Sequence, residues 1–103
     1  MSAYLFYTMV FDEIIWLDYI VDKLAWKHHV LPAEVEEVLE SRRTLHWRNQ
    51  KGRIEGEDIY NALGRTEAGR YVSVFYIKKL GNRALIISAR DMNQTEKRRY
   101  GKK

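Results

Sequence analysis

The sequence predicts an α+β domain: an antiparallel sheet of about four strands, two N-terminal helices packed on it and a short C-terminal helix. Three observations carry this. Apolar residues recur at helical spacing as far as Leu39; from Arg42 onward the period falls to two; and the later strands are joined by short turns, as in a meander. With 103 residues, the chain can fill one core but not two, so residues 1–103 are expected to form a single domain.

Residues 1–13 stand apart as an apolar leader or added strand. Tyr4 to Phe11 alternates apolar and aromatic residues on both faces, which leaves open an added strand, a docking segment or a loosely held leader. The apolar run from Ala3 to Phe11 is too short to span a bilayer and lacks the basic start of a signal peptide, so no membrane association is expected. Ile14, Ile15 and Trp16 read as a short strand leading to Asp18, which is suited to cap a helix from Tyr19 to about His28. Ile20, Val21, Leu24 and Ala25 give that helix an apolar stripe, with His28 one turn beyond it. Pro32 suits the first turn of a second helix. Glu34, Glu36 and Glu37 favour its start, while Val35, Val38 and Leu39 supply its buried side.

Leu45 and Trp47 then alternate with Thr44, His46 and Arg48, the pattern of a half-buried strand. Asn49 to Glu57, with Gly52 and Gly56, reads as an exposed loop. Ile59 to Leu63 is a further strand, turning through Thr66-Glu-Ala-Gly69 into Arg70 to Lys79. Gly81-Asn82 turns the chain into a last strand, in which Leu85, Ile87 and Ala89 alternate with Ile86, Ser88 and Arg90. Beyond it, Asn93 and Glu96 have the spacing of a capping box, and Lys97, Arg98 and Arg99 favour the C-terminal end of the helix that follows.

The net charge of +4 hides a division along the chain. Residues 1–41 carry two Lys/Arg against eight Asp/Glu, whereas residues 65–103 carry eleven against three. A basic half is the footprint of a polyanion partner, most often nucleic acid; a solvated basic face without a partner is the competing reading. With no cysteine, disulfides, thiolate zinc sites and cysteine nucleophiles are excluded, in keeping with a reducing cytoplasm. Glu34 and Glu37 share a helical face but lack converging ligands, so they are expected to face solvent and no metal site is expected. Gly64 and Gly69 are too far apart for a phosphate-binding loop, so no nucleotide cofactor is expected either.

An ordered series of residues resembles the BrnT family of bacterial toxins, small RelE-superfamily ribonucleases made beside an antitoxin. The series is Trp16 with Asp18, the Lys27-His28 pair, the segment from Pro32 to Leu39, the segment from Ala62 to Tyr71, and Ile86 to Met92 followed by Glu96 to Tyr100. It covers roughly Ile14 to the C-terminus. The chain departs from the family where His29 replaces a common Gly at a helix end that wants a left-handed residue, where Leu31 replaces a capping Ser or Thr, and at Trp26, Asn93 and Lys97. The resemblance implies a RelE-like fold, a cytoplasmic toxin that cleaves RNA and blocks translation, and neutralisation by a cognate, BrnA-like antitoxin. A homodimer and a toxin–antitoxin hetero-oligomer both remain open.

Cleaving RNA without metal uses the neighbouring 2′-hydroxyl as nucleophile, so the protein must supply a proton acceptor, a proton donor and positive charge around the phosphate. His28, matching the family's Lys-His pair, is the candidate for proton transfer, with Lys27 beside it to hold phosphate or lower its pKa. The competing role for His28 is a helix cap or a buried, hydrogen-bonded ring. Arg70 and Arg90 begin and end adjacent antiparallel strands, so their guanidiniums are candidates to clamp one phosphate; ion pairs with Glu67 or Asp91 are the alternative. Glu67, in the turn before Arg70, is placed to orient it or accept a proton. Arg65, Arg98, Arg99 and Tyr100 are expected RNA contacts, Tyr100 by stacking on a base or by its hydroxyl, against the plainer role of a core aromatic. A catalytically inactive module that binds nucleic acid or antitoxin through the same basic face is the alternative function.

Overall fold

The computed structural model describes residues 11–101. Strand β1 (Glu13–Ile15) leads to helix α1 (Asp18–Lys23), which continues as a widened, π-helical turn over Leu24–His28. Helix α2 (Pro32–Glu40) follows, then strands β2 (Leu45–Gln50), β3 (Ile59–Arg65), β4 (Tyr71–Lys79) and β5 (Arg83–Asp91), and helix α3 (Gln94–Gly101). The sheet has five strands rather than about four, in the order β1-β5-β4-β3-β2. Strands β2 to β5 form the expected antiparallel meander, but β1 lies parallel to β5, with Ile14 opposite Ala84. A crossover through both N-terminal helices separates β1 from the meander, which is what a parallel pairing requires.

Helices α1 and α2 cover one face of the sheet. Ile20 and Leu24 from α1, Val30 from the link, and Val35, Val38 and Leu39 from α2 meet Ala62, Val72, Val74, Tyr76, Ala84, Ile86 and Ala89, all buried. Gly64 allows the close approach of α2 to β3. A β-carbon there would lie 2.6 Å from Val38 Cγ1 and also strike Thr44 Oγ1. Trp16 fastens β1 to α2 by donating from Nε1 to Glu36 Oε2 at 2.8 Å.

Local signals fare differently. Pro32 opens α2 as expected, with Leu31 as an extended N-cap whose N–H donates to Glu34 Oε1 at 3.0 Å. Asp18, by contrast, does not cap α1. It is already helical, Leu17 precedes it in the extended region, and no side chain caps the helix; the acidic residue instead sits in the first turn, where it complements the dipole. The widened turn ends at His29, which is left-handed at φ 55° and ψ 39°, the conformation for which glycine is the usual choice. Asn93 and Glu96 make both halves of a capping box: Glu96 N–H donates to Asn93 Oδ1 at 2.8 Å and Asn93 N–H to Glu96 Oε1 at 2.9 Å. Gly81 and Asn82 both have positive φ in the three-residue connection Leu80-Gly81-Asn82 between the paired Lys79 and Arg83.

The alternation expected along β5 is broken. Opposite Phe75 and Tyr76 the register steps from Ser88 to Ile86, so Ile87 is an extra residue in a bulge, and Ile86 and Ala89 share the buried face. The loop expected over 49–57 starts later, because β2 runs through Gln50. It is tied by Asp58, which accepts from Gly52 N–H at 2.7 Å, and by an ion pair of Glu57 with Lys79. Of the leader, residues 1–10 lie outside the described residues. Phe11 packs edge-on against His46 and Tyr76, with ring centroids 6.0 and 5.2 Å away, and Asp12 N–H donates to Asn82 O at 2.9 Å.

Candidate functional site

Strand pairing brings the start of β4 to the end of β5: Val72 faces Asp91 and Ser73 faces Arg90. Because consecutive strand residues point to opposite faces, Arg70 turns toward the N-terminal helices and Tyr71 toward α3. The two neighbours belong to different environments.

Arg70 is an anchor. Its Nε donates to Asp91 Oδ1 at 2.8 Å, Nη1 to His29 O at 2.6 Å and to Glu34 at 3.1 Å, and Nη2 to His28 O at 3.1 Å. These carbonyls close the helical turn that ends in His28 and have no partner within it, so the guanidinium takes the place of the missing N–H groups. At most one of its five N–H groups is left over, which corrects the expectation of an Arg70–Arg90 phosphate clamp. The Asp91 and Glu34 carboxylates raise the Arg70 pKa, and Arg70 in turn holds Asp91 below the usual carboxylate range. Glu34 is therefore not solvent-facing as expected. Glu37 is exposed as expected, and its Oε2 accepts from Glu67 N–H.

Arg90 projects on the opposite face of the sheet, over the Phe75 ring at 5.4 Å. Glu96 grips it with both oxygens, at 2.7 and 3.0 Å, and Nη1 also donates to Asp91 O at 3.1 Å. Among the described residues, its Nε–H and one Nη2 hydrogen have no protein acceptor. Burial alone would raise the Glu96 pKa, yet Arg90, the Asn93 N–H and Ser73 outweigh it and hold the carboxyl low. The polar chain continues inward: Ser73 Oγ donates to Glu96 Oε2 at 3.2 Å, and Asn61 Nδ2 donates to Ser73 Oγ and Val74 O, both at 3.0 Å. Helix α3 has no buried residue of its own, so this network and ring contacts dock it.

His28 is partly buried at the end of the π-helical turn. Desolvation, then the charges of Lys27, Lys23 and Arg90, lower its pKa, while Asp91 opposes them. The ring is therefore mostly neutral at pH 7. Lys27 is exposed beside it. His28 thus lies beside the Arg70–Asp91 pair through its backbone carbonyl, with Lys27 next to it, whereas Arg90 is on the other face of the sheet and acts on His28 only as a nearby charge.

The remaining candidates lie elsewhere. Arg65, Glu67 and Tyr100 line a wide groove of about 1120 Å³ between α2, the β3–β4 turn and α3. Arg65 and Lys97 stand over the Tyr71 ring at 5.2 and 5.7 Å, and Tyr100 meets the same ring edge-on at 6.0 Å. Arg99 lies over Trp47 at 4.0 Å, and Arg98 is exposed, reaching Thr95 at 3.4 Å. Glu67 is exposed in the turn and is not among Arg70's hydrogen-bond partners. Sequence reasoning missed Tyr71, Lys97 and Ser73. The alternation of β4, with Tyr71, Ser73 and Phe75 on one face, was the available signal.

Among the described residues, no three His, Asp or Glu side chains stand together as metal ligands, and no helix is long and apolar enough to cross a membrane. The chain is similar in structure to the crystal structure of the Brucella abortus ribonuclease toxin BrnT. The two are 18% identical over 80% of this chain and 97% of that one, with a TM-score of 0.60, a likeness of fold. No curated protein matches the chain. The family model described as "Ribonuclease toxin, BrnT, of type II toxin-antitoxin system" matches residues 22–96, well over half the sequence. The chain belongs to the BrnT family of ribonuclease toxins of type II toxin–antitoxin systems.

Proposed function

We propose that the protein cuts RNA internally, without metal, by attack of a 2′-hydroxyl on the adjacent phosphate, and that it thereby inhibits translation in the cytoplasm until a cognate, BrnA-like antitoxin neutralises it. The observation that carries this reading is an Arg90 guanidinium that retains spare donors, close enough to His28 for its charge to help lower the imidazole pKa. His28 takes the 2′-hydroxyl proton as O2′ bonds to phosphorus, and the P–O5′ bond breaks to leave a 2′,3′-cyclic phosphate. The departing 5′-oxygen takes its proton from water, and Arg90 with Lys27 holds the phosphate as its charge grows. Arg70 is a positioning residue that fixes the turn carrying His28. Glu67, Arg65 and Tyr100 contribute through the groove, and Arg98 and Arg99 through the exposed basic helix. The test is incubation of purified protein with cellular RNA in excess chelator. Cleavage that is lost in His28→Ala and Arg90→Ala supports the reading; intact RNA with the wild-type protein overturns it.

The engagement of Arg90 by Glu96 and of Arg70 by protein acceptors favours one second reading, a non-cleaving module that binds RNA or an acidic antitoxin segment. Salt-dependent RNA binding by wild-type protein, with no cleavage in chelator or in magnesium, identifies it.

A further inference from the structure

We propose that the groove between α2, the β3–β4 turn and α3 is a base-recognition subsite that selects an unpaired guanine next to the scissile phosphate. This deepens the ribonuclease reading and rests on it for the position of that phosphate.

Three features of the groove point to a base. Its wall is aromatic and cationic, with Tyr71 and Tyr100 edge to face and Arg65 over Tyr71, the surface on which single-stranded bases stack. It adjoins the catalytic group directly: Tyr71 is on the same sheet face as Arg90, its carbonyl accepts from Met92 N–H at 3.1 Å, and Lys97, which also lines the groove, stands over the ring at 5.7 Å. A strand whose phosphate rests on Arg90 therefore meets the groove with its next nucleotide. The rest of the wall includes Glu37, Glu40 and Glu67 along with Arg43, a share of carboxylate unusual for a surface built only to hold phosphate.

Those carboxylates supply the selectivity. Among the described residues, no donor reaches the carboxylates of Glu40 or Glu67, both exposed at the groove. A carboxylate offers two parallel acceptors and no donor. Guanine alone presents two adjacent donors, N1–H and the 2-amino group, along its pairing edge. Adenine and cytosine set an acceptor beside their amino group, and uracil flanks its single N–H with two carbonyls, so each meets the carboxylate with repulsion at one oxygen. Stacking holds any base; the carboxylate favours one.

The test uses short 2′-O-methylated oligouridines, which cannot be cleaved, with and without a single guanine or adenine, together with the same strands as unmodified RNA. Wild-type protein is expected to bind the guanine strand about tenfold more tightly than the others. The Glu40→Gln/Glu67→Gln pair is expected to remove that preference, and Tyr100→Leu to weaken binding of all strands. Equal binding of the three strands by wild-type protein, or a guanine preference that survives in the double variant, overturns the proposal. Unmodified RNA separates the two readings: cleavage with no guanine preference leaves the ribonuclease standing without this subsite, and a guanine preference without cleavage leaves the subsite standing without the ribonuclease.

Discussion

Glu96 holds Arg90 with both carboxylate oxygens, Oε1 to Nη1 at 2.7 Å and Oε2 to Nη2 at 3.0 Å, while its own Oε1 also caps α3 at Asn93. One carboxylate thus docks a helix and restrains a guanidinium proposed to hold phosphate. Glu96→Gln should lower stability by about 1–3 kcal/mol, because it weakens charge-assisted bonds at a mostly buried side chain. RNA affinity should rise in the same variant, as Arg90 gains donors. Urea unfolding and a salt series of RNA binding check both; unchanged affinity would show that Glu96 does not compete with phosphate.

Arg70→Lys should be costly although it keeps the charge. A lysine ammonium cannot reach Asp91, Glu34 and two backbone carbonyls from one plane, so carbonyls at the end of the turn lose their donors. A loss of about 2–4 kcal/mol is expected from breaking such a network. Its signature is a fall in the denaturation midpoint with little change in the salt dependence of RNA binding. A marked change in salt dependence would instead place Arg70 on the phosphate.

The pH dependence of cleavage reports on His28. Its pKa lies below the ordinary 6.5, so the base form is already dominant at neutral pH. Cleavage should rise with pH through a pKa under 6.5 and then level off. His28→Gln should abolish that rising limb and lower the rate about a hundredfold or more. A limb that persists in the variant assigns the titration to another group.

His46 predicts a separate pH effect on stability. Burial, then Lys78, lowers its pKa; Nδ1 lies 2.9 Å from Tyr76 Oη, and its Nε2 is buried without a hydrogen-bond partner among the described residues. The unfolded chain therefore binds the proton more readily than the folded one. The stabilisation is complete above the unfolded value of about 6.5 and declines as pH falls through the lower folded value. Thermal melts from pH 7.5 to 5 should show this decline, and His46→Phe should flatten it.

Gly64→Ala tests the approach of α2 to β3. The added methyl meets Val38 and Thr44 in a filled core, so a loss of about 1–3 kcal/mol is expected. Calorimetry reads it directly.

Much of the fold was legible because its signals are local. Pro32 at a helix start, the positive-φ pair Gly81-Asn82 and the Asn93–Glu96 box each act within a few residues, and each is found where expected. The bulge at Ile87 and the parallel pairing of β1 were not legible, since both depend on partners far along the chain. The site divided in the same way. His28 was marked by its motif and Arg90 by its place at a strand end, but the engagement of Arg70 rests on carbonyls of His28 and His29 more than forty residues away. A carbonyl is common to every residue, so no sequence pattern announces it.

The adjacency of Arg70 and Tyr71 ties the turn at the end of the first helix to the groove beside the last one. The pleat sends one inward to the turn and the other outward to the groove, with nothing between them to absorb a slip. Inserting or deleting one residue ahead of this dipeptide in the β3–β4 turn would leave both in place, whereas the same change just after it would drive phenol and guanidinium into each other's surroundings. A change ahead of the dipeptide costs the Thr66 bonds that close the turn; one behind it costs both surfaces.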